Sequence, residues 1–259
     1  MDDRGTIAVG QASHAWVSGQ LARAWGNRRF GPVEPYEEVC LAAEQHDVGM
    51  ARWDLAPSRN PDTGLPHSFI EMPLAVHLGL WRAGPPRLLT QCRYAALLVS
   101  MHGRRLYEVR DLSKLDAADV QAVHAFLAER RAFEQRLLAS LLADQATSAS
   151  ATDQLLARNS QLLWIWDFIS LALVLDWAPC KAKSVPTAVA AEDLRLAPTA
   201  DPGRCTLEPW PFRADTVVLR CEGRRLPRGY DDEQALQDAL ERAPWETIEF
   251  ELSPGRDGR

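Results

Sequence analysis

Apolar residues recur at three- and four-residue spacing as far as about residue 177, and the pattern then changes. In HAWVSGQLARAW (14–25), Val17, Leu21 and Ala24 predict a helix that Gly26 and Asn27 close. PYEEVCLAAEQHDVGMARW (35–53) opens with a proline and two acids, as a helix N-terminus favours, and predicts a second helix with His46 and Asp47 near its C-terminal end. Residues 54–73 hold four prolines, a glycine and several polar turn-formers, and are expected to form a loop serving as a lid or rim. Helical spacing returns in LAVHLGLWRAG (74–84) and RLLTQCRYAALLVSMHGRRLYE (87–108). Asp116 is placed to cap a long amphipathic helix starting at Ala117, and the helix carrying LLWIWDFISLAL (162–173) is apolar enough to run through the core.

After Pro179 the texture becomes short apolar runs between prolines and glycines. DLRLAP, DTVVLRCEG and ETIEFELSP read as strands, and residues 231–243 as one helix. The expected architecture is therefore mainly α. A helical bundle spans 1–178, and a small α+β extension, 179–259, packs on it.

Composition sets the function class more than the fold. A chain of 259 residues, 46% hydrophobic, can bury a substantial core. A formal net charge of −6 offers no basic field for nucleic acid or anionic lipid, so a small-molecule substrate is the expected partner; a homo-oligomer is left open. Five scattered cysteines without a CxxC pair suggest neither a disulfide framework nor a zinc ribbon. MDDRGTIAVGQASH has acids where a signal peptide carries bases, and no run is uniform enough to span a bilayer, so a cytoplasmic protein without membrane partners is expected.

The chemistry concentrates on polar residues set in apolar helices. Asp167 is flanked by Trp164, Ile165, Trp166, Phe168 and Ile169, and a buried carboxylate without a partner costs several kcal/mol. An arginine such as Arg23 or Arg93 is the ordinary solution. His14, His46 with Asp47, His77 and His102 offer another, because neutral imidazole and carboxylate are suitable ligands for iron, manganese or zinc. His46 and Asp47 would diverge by about 100° on a helix, but a cation just off the helix could be reached by both.

The order His14, His46-Asp47, His77, His102, Asp167 resembles the HD superfamily of helical metal-dependent hydrolases, with HDVG close to its HD-x-G segment. The resemblance implies an HD-like bundle with His46 and Asp47 at the catalytic centre. His14, His46, Asp47 and Asp167 would hold one ion, and Asp47 would bridge to a second held by His77 and His102. It implies a phosphohydrolase acting on a small phosphate ester or nucleotide, with two ions activating a water. Di-iron oxygenases of the same superfamily and a non-catalytic metal or ligand-binding protein are the alternatives. SGQLARAWG, HDVGMARWD, TGLPHSFIEMP and LVSMHGRRLY are also similar, with nearly the whole chain, to a bacterial family of HD-like proteins, the domain of unknown function 3891, which implies no particular activity.

Several positions depart from the superfamily pattern or admit plainer roles. Met50 stands where many HD enzymes carry a lysine, and Asp54 is the only acid close behind the pair. Anion recognition would fall to Arg104, Arg105, Arg52 or Arg59, since guanidinium groups bind phosphate bidentately. His67 is expected at a rim, His124 on a solvated face, Gln11 at the site or as a helix cap, and Cys40 and Cys92 as buried thiols.

Overall fold

The computed structural model describes residues 5–227 and 229–255. Seven helices precede the main run of strands: α1 (Gln11–Ala24), α2 (Tyr36–Glu44), α3 (Ala51–Leu55), α4 (Leu74–Arg87), α5 (Arg93–Glu108), α6 (Ala117–Leu142) and α7 (Asp153–Val174). Asp116 caps α6 by accepting from the Asp119 amide, as its sequence position predicts. Helix α7 is capped by Thr152 and buries Leu162, Ile165, Trp166 and Ile169 along its length.

The strands overturn the expectation of a mainly α bundle with a minor extension. A six-stranded mixed sheet runs in the order β1-β5-β6-β4-β3-β2, with β1 Thr6–Val9, β2 Cys180–Pro186, β3 Ala191–Pro198, β4 Arg204–Glu208, β5 Val217–Leu226 and β6 Trp245–Pro254. All neighbouring pairs are antiparallel except β4 and β6. The protein is an α+β structure and not a mainly α one, because the sheet adds β2, β4 and an edge strand from before the first helix, β1, to the three strands expected after Pro179. Four residues, TIAV, are too few for a period-two pattern to register, yet they pair in register from Thr6 opposite Leu226 to Val9 opposite Gly223.

Helices and sheet share one continuous core. Trp25 of the α1 cap meets Trp166 of α7 and Phe212 of the strand connection at ring separations of 5.7 and 5.5 Å. Where β1 stops, α1 takes over the exposed edge of β5. The Gln20 amide donates to Arg220 O and accepts from Arg220 N, and the Ser13 hydroxyl does the same with Glu222 O and N. Backbone groups that a missing strand would leave unpaired are thus satisfied by side chains. Helix α8 (Glu233–Arg242) packs on the far end of β5 through Leu236 and Leu240.

Candidate metal centre

His46 and Asp47 do not sit on a helix. Helix α2 stops at Glu44, Gln45 and Asp47 leave helical geometry with φ/ψ of −113/12 and −100/19, and a short 3-10 turn, Val48–Met50, follows. The turn packs closely on α4: a Cβ on Gly49 would lie 2.4 Å from Leu80 O and 3.1 Å from Gly84 Cα. Two neighbours that would diverge on a helix instead converge, with His46 Nε2 3.5 Å from Asp47 Oδ2.

Three further helices complete the cluster. His14 from the first turn of α1 places Nε2 2.8 Å from Asp47 Oδ2. Asp167 of α7 sets Oδ1 3.3 Å from His46 Nε2 and Oδ2 3.4 Å from His102 Nε2 of α5. His14, His46, Asp47 and His102 are buried, and Asp167 is the most accessible of the five with its side chain 13% exposed. Their ligand atoms fall into two overlapping groups, His14-His46-Asp47 and His46-His102-Asp167. Arg23 and Arg93 are not Asp167's partners; they pair with Glu44 and Asp144.

Hydrogen bonds fix which ring nitrogens carry protons. His46 Nδ1 lies 2.8 Å from Ala43 O, and a carbonyl can only accept, so Nδ1 holds the hydrogen and Nε2 faces the two carboxylates. The Ser170 hydroxyl donates to Asp167 O and therefore accepts from Ser18 and from His14 Nδ1–H. In a neutral His14 ring, Nε2 would then present a lone pair to Asp47 Oδ2. Acceptors facing acceptors in a buried place require a proton or a cation between them. Burial disfavours the imidazolium of His46, but Asp47 and Asp167 outweigh it and raise its pKa to about 9. Burial likewise pushes Asp47 and Asp167 up, and the histidines override it and hold both below the usual carboxylate range. Two buried carboxylates carry a charge that one divalent cation balances, and the donor set of imidazoles and carboxylates suits iron, manganese or zinc.

His77 is placed differently. Its Nδ1 meets the Tyr107 hydroxyl in a short hydrogen bond, and its Nε2 accepts from Trp81 Nε1 at 3.1 Å. It belongs to neither ligand group among the described residues. Burial drives its pKa down to about 4, so the ring is neutral, while Asp47 is near enough to oppose the shift. Trp81 in turn packs against His102 at a ring separation of 5.7 Å, and a Cβ on Gly103 would collide with the indole at 2.3 Å.

Several supporting residues escaped the sequence reading although their spacing marks them. Ser18 is four residues from His14, and Ser170 three from Asp167, which puts each on its ligand's helix face. Arg105, already a candidate for anion recognition, and Trp164, expected beside Asp167, follow the same rule, one turn from His102 and Asp167. The Arg105 guanidinium lies 4.3 Å over the Trp164 ring, which packs 5.6 Å from His102. Arg105 donates to Gln161 and makes no ion pair among the described residues. Arg104 is held by Glu108 and Glu134, Arg59 by Tyr230 O, and Arg52 is exposed on α3. Asp54 accepts from the Ala12 amide and so caps α1, whose own N-cap, Gly10, has no side chain to do so. His67 bonds Ser58 in the loop, His124 is exposed, and Cys92 caps α5 through the Ala95 amide.

Fold and site together define an α+β protein whose helices bury a histidine–carboxylate cluster where four of its segments meet. Residues 1–228 match the model of the family described as protein of unknown function (DUF3891), and the chain belongs to that family. No curated protein and no solved structure matches it. No helix among the described residues is long and apolar enough to cross a membrane.

Proposed function

We propose that the protein is a metal-dependent phosphohydrolase of the HD superfamily, with His14, His46, Asp47, His102 and Asp167 as its metal ligands. The observation that carries the reading is the orientation of the rings at the centre: with Nδ1 of His14 and His46 bonded to Ser170 and Ala43, both Nε2 atoms face carboxylate oxygens at 2.8–3.5 Å, where either a proton or a cation must lie. A ligand set whose outer nitrogens are already oriented is what a metal site requires. A divalent cation held there supplies Lewis acidity towards a phosphoryl oxygen and lowers the pKa of a bound water.

The chain's own residues supply orientation and charge. Ser170 and the Ala43 carbonyl fix the imidazole tautomers. Arg105, one helical turn from His102 on α5, makes no ion pair among the described residues, and its guanidinium suits a substrate phosphate. His77 becomes a ligand for a second ion only by exchanging the Trp81 hydrogen bond at Nε2.

Elemental analysis of protein purified without chelator tests the metal, and turnover of bis(4-nitrophenyl) phosphate and 4-nitrophenyl phosphate with manganese, iron or zinc tests the reaction. The expected result is bound metal that Asp47→Ala removes, with hydrolysis lost in the same variant and weakened in Arg105→Gln through KM. A metal-free wild type that takes up none of the three ions would refute the site. Bound iron with oxygen-dependent turnover and no hydrolysis would refute the reaction.

A further inference from the structure

Beside the cluster lies a cavity of about 730 Å³ that the metal chemistry does not explain. It is enclosed by β1, the start of α1, the loop 56–73, the end of α7, β5 and α8, and His14 is among its lining residues. Val9, Leu65, Leu171, Val174, Leu226 and Leu240 furnish much of the wall. The size falls within the range of small-molecule sites, about 300–1,000 Å³.

Its mouth is apolar too. Leu55, Ile70, Leu175, Trp177 and Trp245 all border the cavity, and all are large hydrophobic residues 42–75% exposed to water. Scattered exposed hydrophobics need no explanation, but five around one opening do. The loop wall is a fixed one. Tyr230 N donates to Gly64 O, Arg59 Nε to Tyr230 O and Gln237 Nε2 to Pro57 O, tying the loop to the segment around α8.

Several of the charged groups in the lining are already engaged. Asp54 caps α1, and Glu71 accepts from Ser68 N and Asn60 Nδ2. Arg224, the only arginine or lysine in the lining among the described residues, donates to Leu240 O and Asp54 O and lies over Trp245. With Asp54, Glu71 and Glu222 in the lining and its one described cation, Arg224, already bonded, an anionic headgroup would meet repulsion and no unengaged cation among the described residues.

We propose that this cavity is a binding site for a neutral, predominantly apolar small molecule, such as a medium-chain alcohol or an uncharged aromatic compound, held by burial against β1, α7 and α8. This goes beyond the phosphohydrolase reading and does not depend on it, because the cavity's walls hold of the metal ligands only His14.

The test uses N-phenyl-1-naphthylamine, an uncharged probe, with the full chain, with and without added Mn²⁺. Trp53, Trp177 and Trp245 line the cavity and serve as energy-transfer donors. Saturable binding of one equivalent is expected, displaced by decanol and at least tenfold less well by decanoate. The double variant Leu55→Glu/Ile70→Glu changes only exposed rim positions and should weaken binding at least tenfold, as should Ala8→Phe from inside. No saturable binding, equal displacement by decanoate, or unchanged affinity in both variants would overturn the proposal. So would rim-dependent association with uncharged phosphatidylcholine vesicles by a protein that does not bind the probe. Loss of metal or of hydrolysis would leave the probe result unaffected, so failure of the two readings can be told apart.

Discussion

His46 and His77 both look like histidines embedded in apolar sequence, and the structure treats them in opposite ways. His46 gives Nδ1–H to a backbone carbonyl and turns Nε2 upon two carboxylates, with no hydrogen-bond partner there. His77 has both nitrogens engaged, by Tyr107 and Trp81. One ring needs a proton or a cation between its Nε2 and the carboxylates, and the other is complete as a neutral ring. Order along the chain can nominate a ligand, but the accounting of its donors and acceptors decides whether a cation is needed.

The sharpest way to break this comparison is to delete each ring in turn. Loss of a first-sphere ligand should exceed the roughly 10–100-fold that outer partners are worth. His46→Ala is therefore expected to weaken uptake of the first metal equivalent by at least about 100-fold, measured by competition with a chromophoric chelator. His77→Phe, which keeps the ring volume among Tyr107 and Trp81, should change that constant by less than about threefold. Equal losses in the two variants would erase the distinction drawn from their hydrogen bonds.

The site was more readable from sequence than the fold around it. Asp167 amid Trp164, Trp166 and Phe168 demands a partner wherever its helix goes, and His14, His46 and His102 are the partners it finds. What spacing could not show is that α2 ends before His46 and that the turn after it packs tightly, through Gly49, on Leu80 and Gly84 of a helix thirty residues on. The sheet was underestimated for a similar reason. TIAV becomes a strand through its partner β5, more than two hundred residues away, and not through any local pattern. His77 carries the same lesson inside the site, since Tyr107 and Trp81 settle its hydrogen bonds and neither belongs to the expected ligand order.

A second test sharpens the contrast through protons. With its pKa raised to about 9 by Asp47 and Asp167, His46 of the metal-free protein is protonated at neutral pH. A metal must expel that proton, whereas Asp47 and Asp167, held low, are already ionised. Affinity for Mn²⁺ should therefore rise with pH, about tenfold per unit for the one proton displaced, and level off near pH 9. His77, lowered to about 4 and neutral throughout, contributes no slope in this window. A flat dependence between pH 7 and 8 would mean that His46 is neutral in the free protein.

The smallest effect probes what keeps His77 apart. Its Nε2 lone pair is taken by the Trp81 indole N–H, a hydrogen bond worth about 1 kcal/mol net. Trp81→Phe removes the donor and keeps an aromatic ring against His102 and Gly103. A second metal equivalent that reaches His77 would then bind roughly fivefold more tightly, while the first is unchanged. Calorimetric titration with Mn²⁺ resolves the two steps. If the second equivalent binds no better in Trp81→Phe, the indole is not what withholds His77, and the Tyr107 hydrogen bond at Nδ1 becomes the contact that sets the ring's orientation away from the cluster.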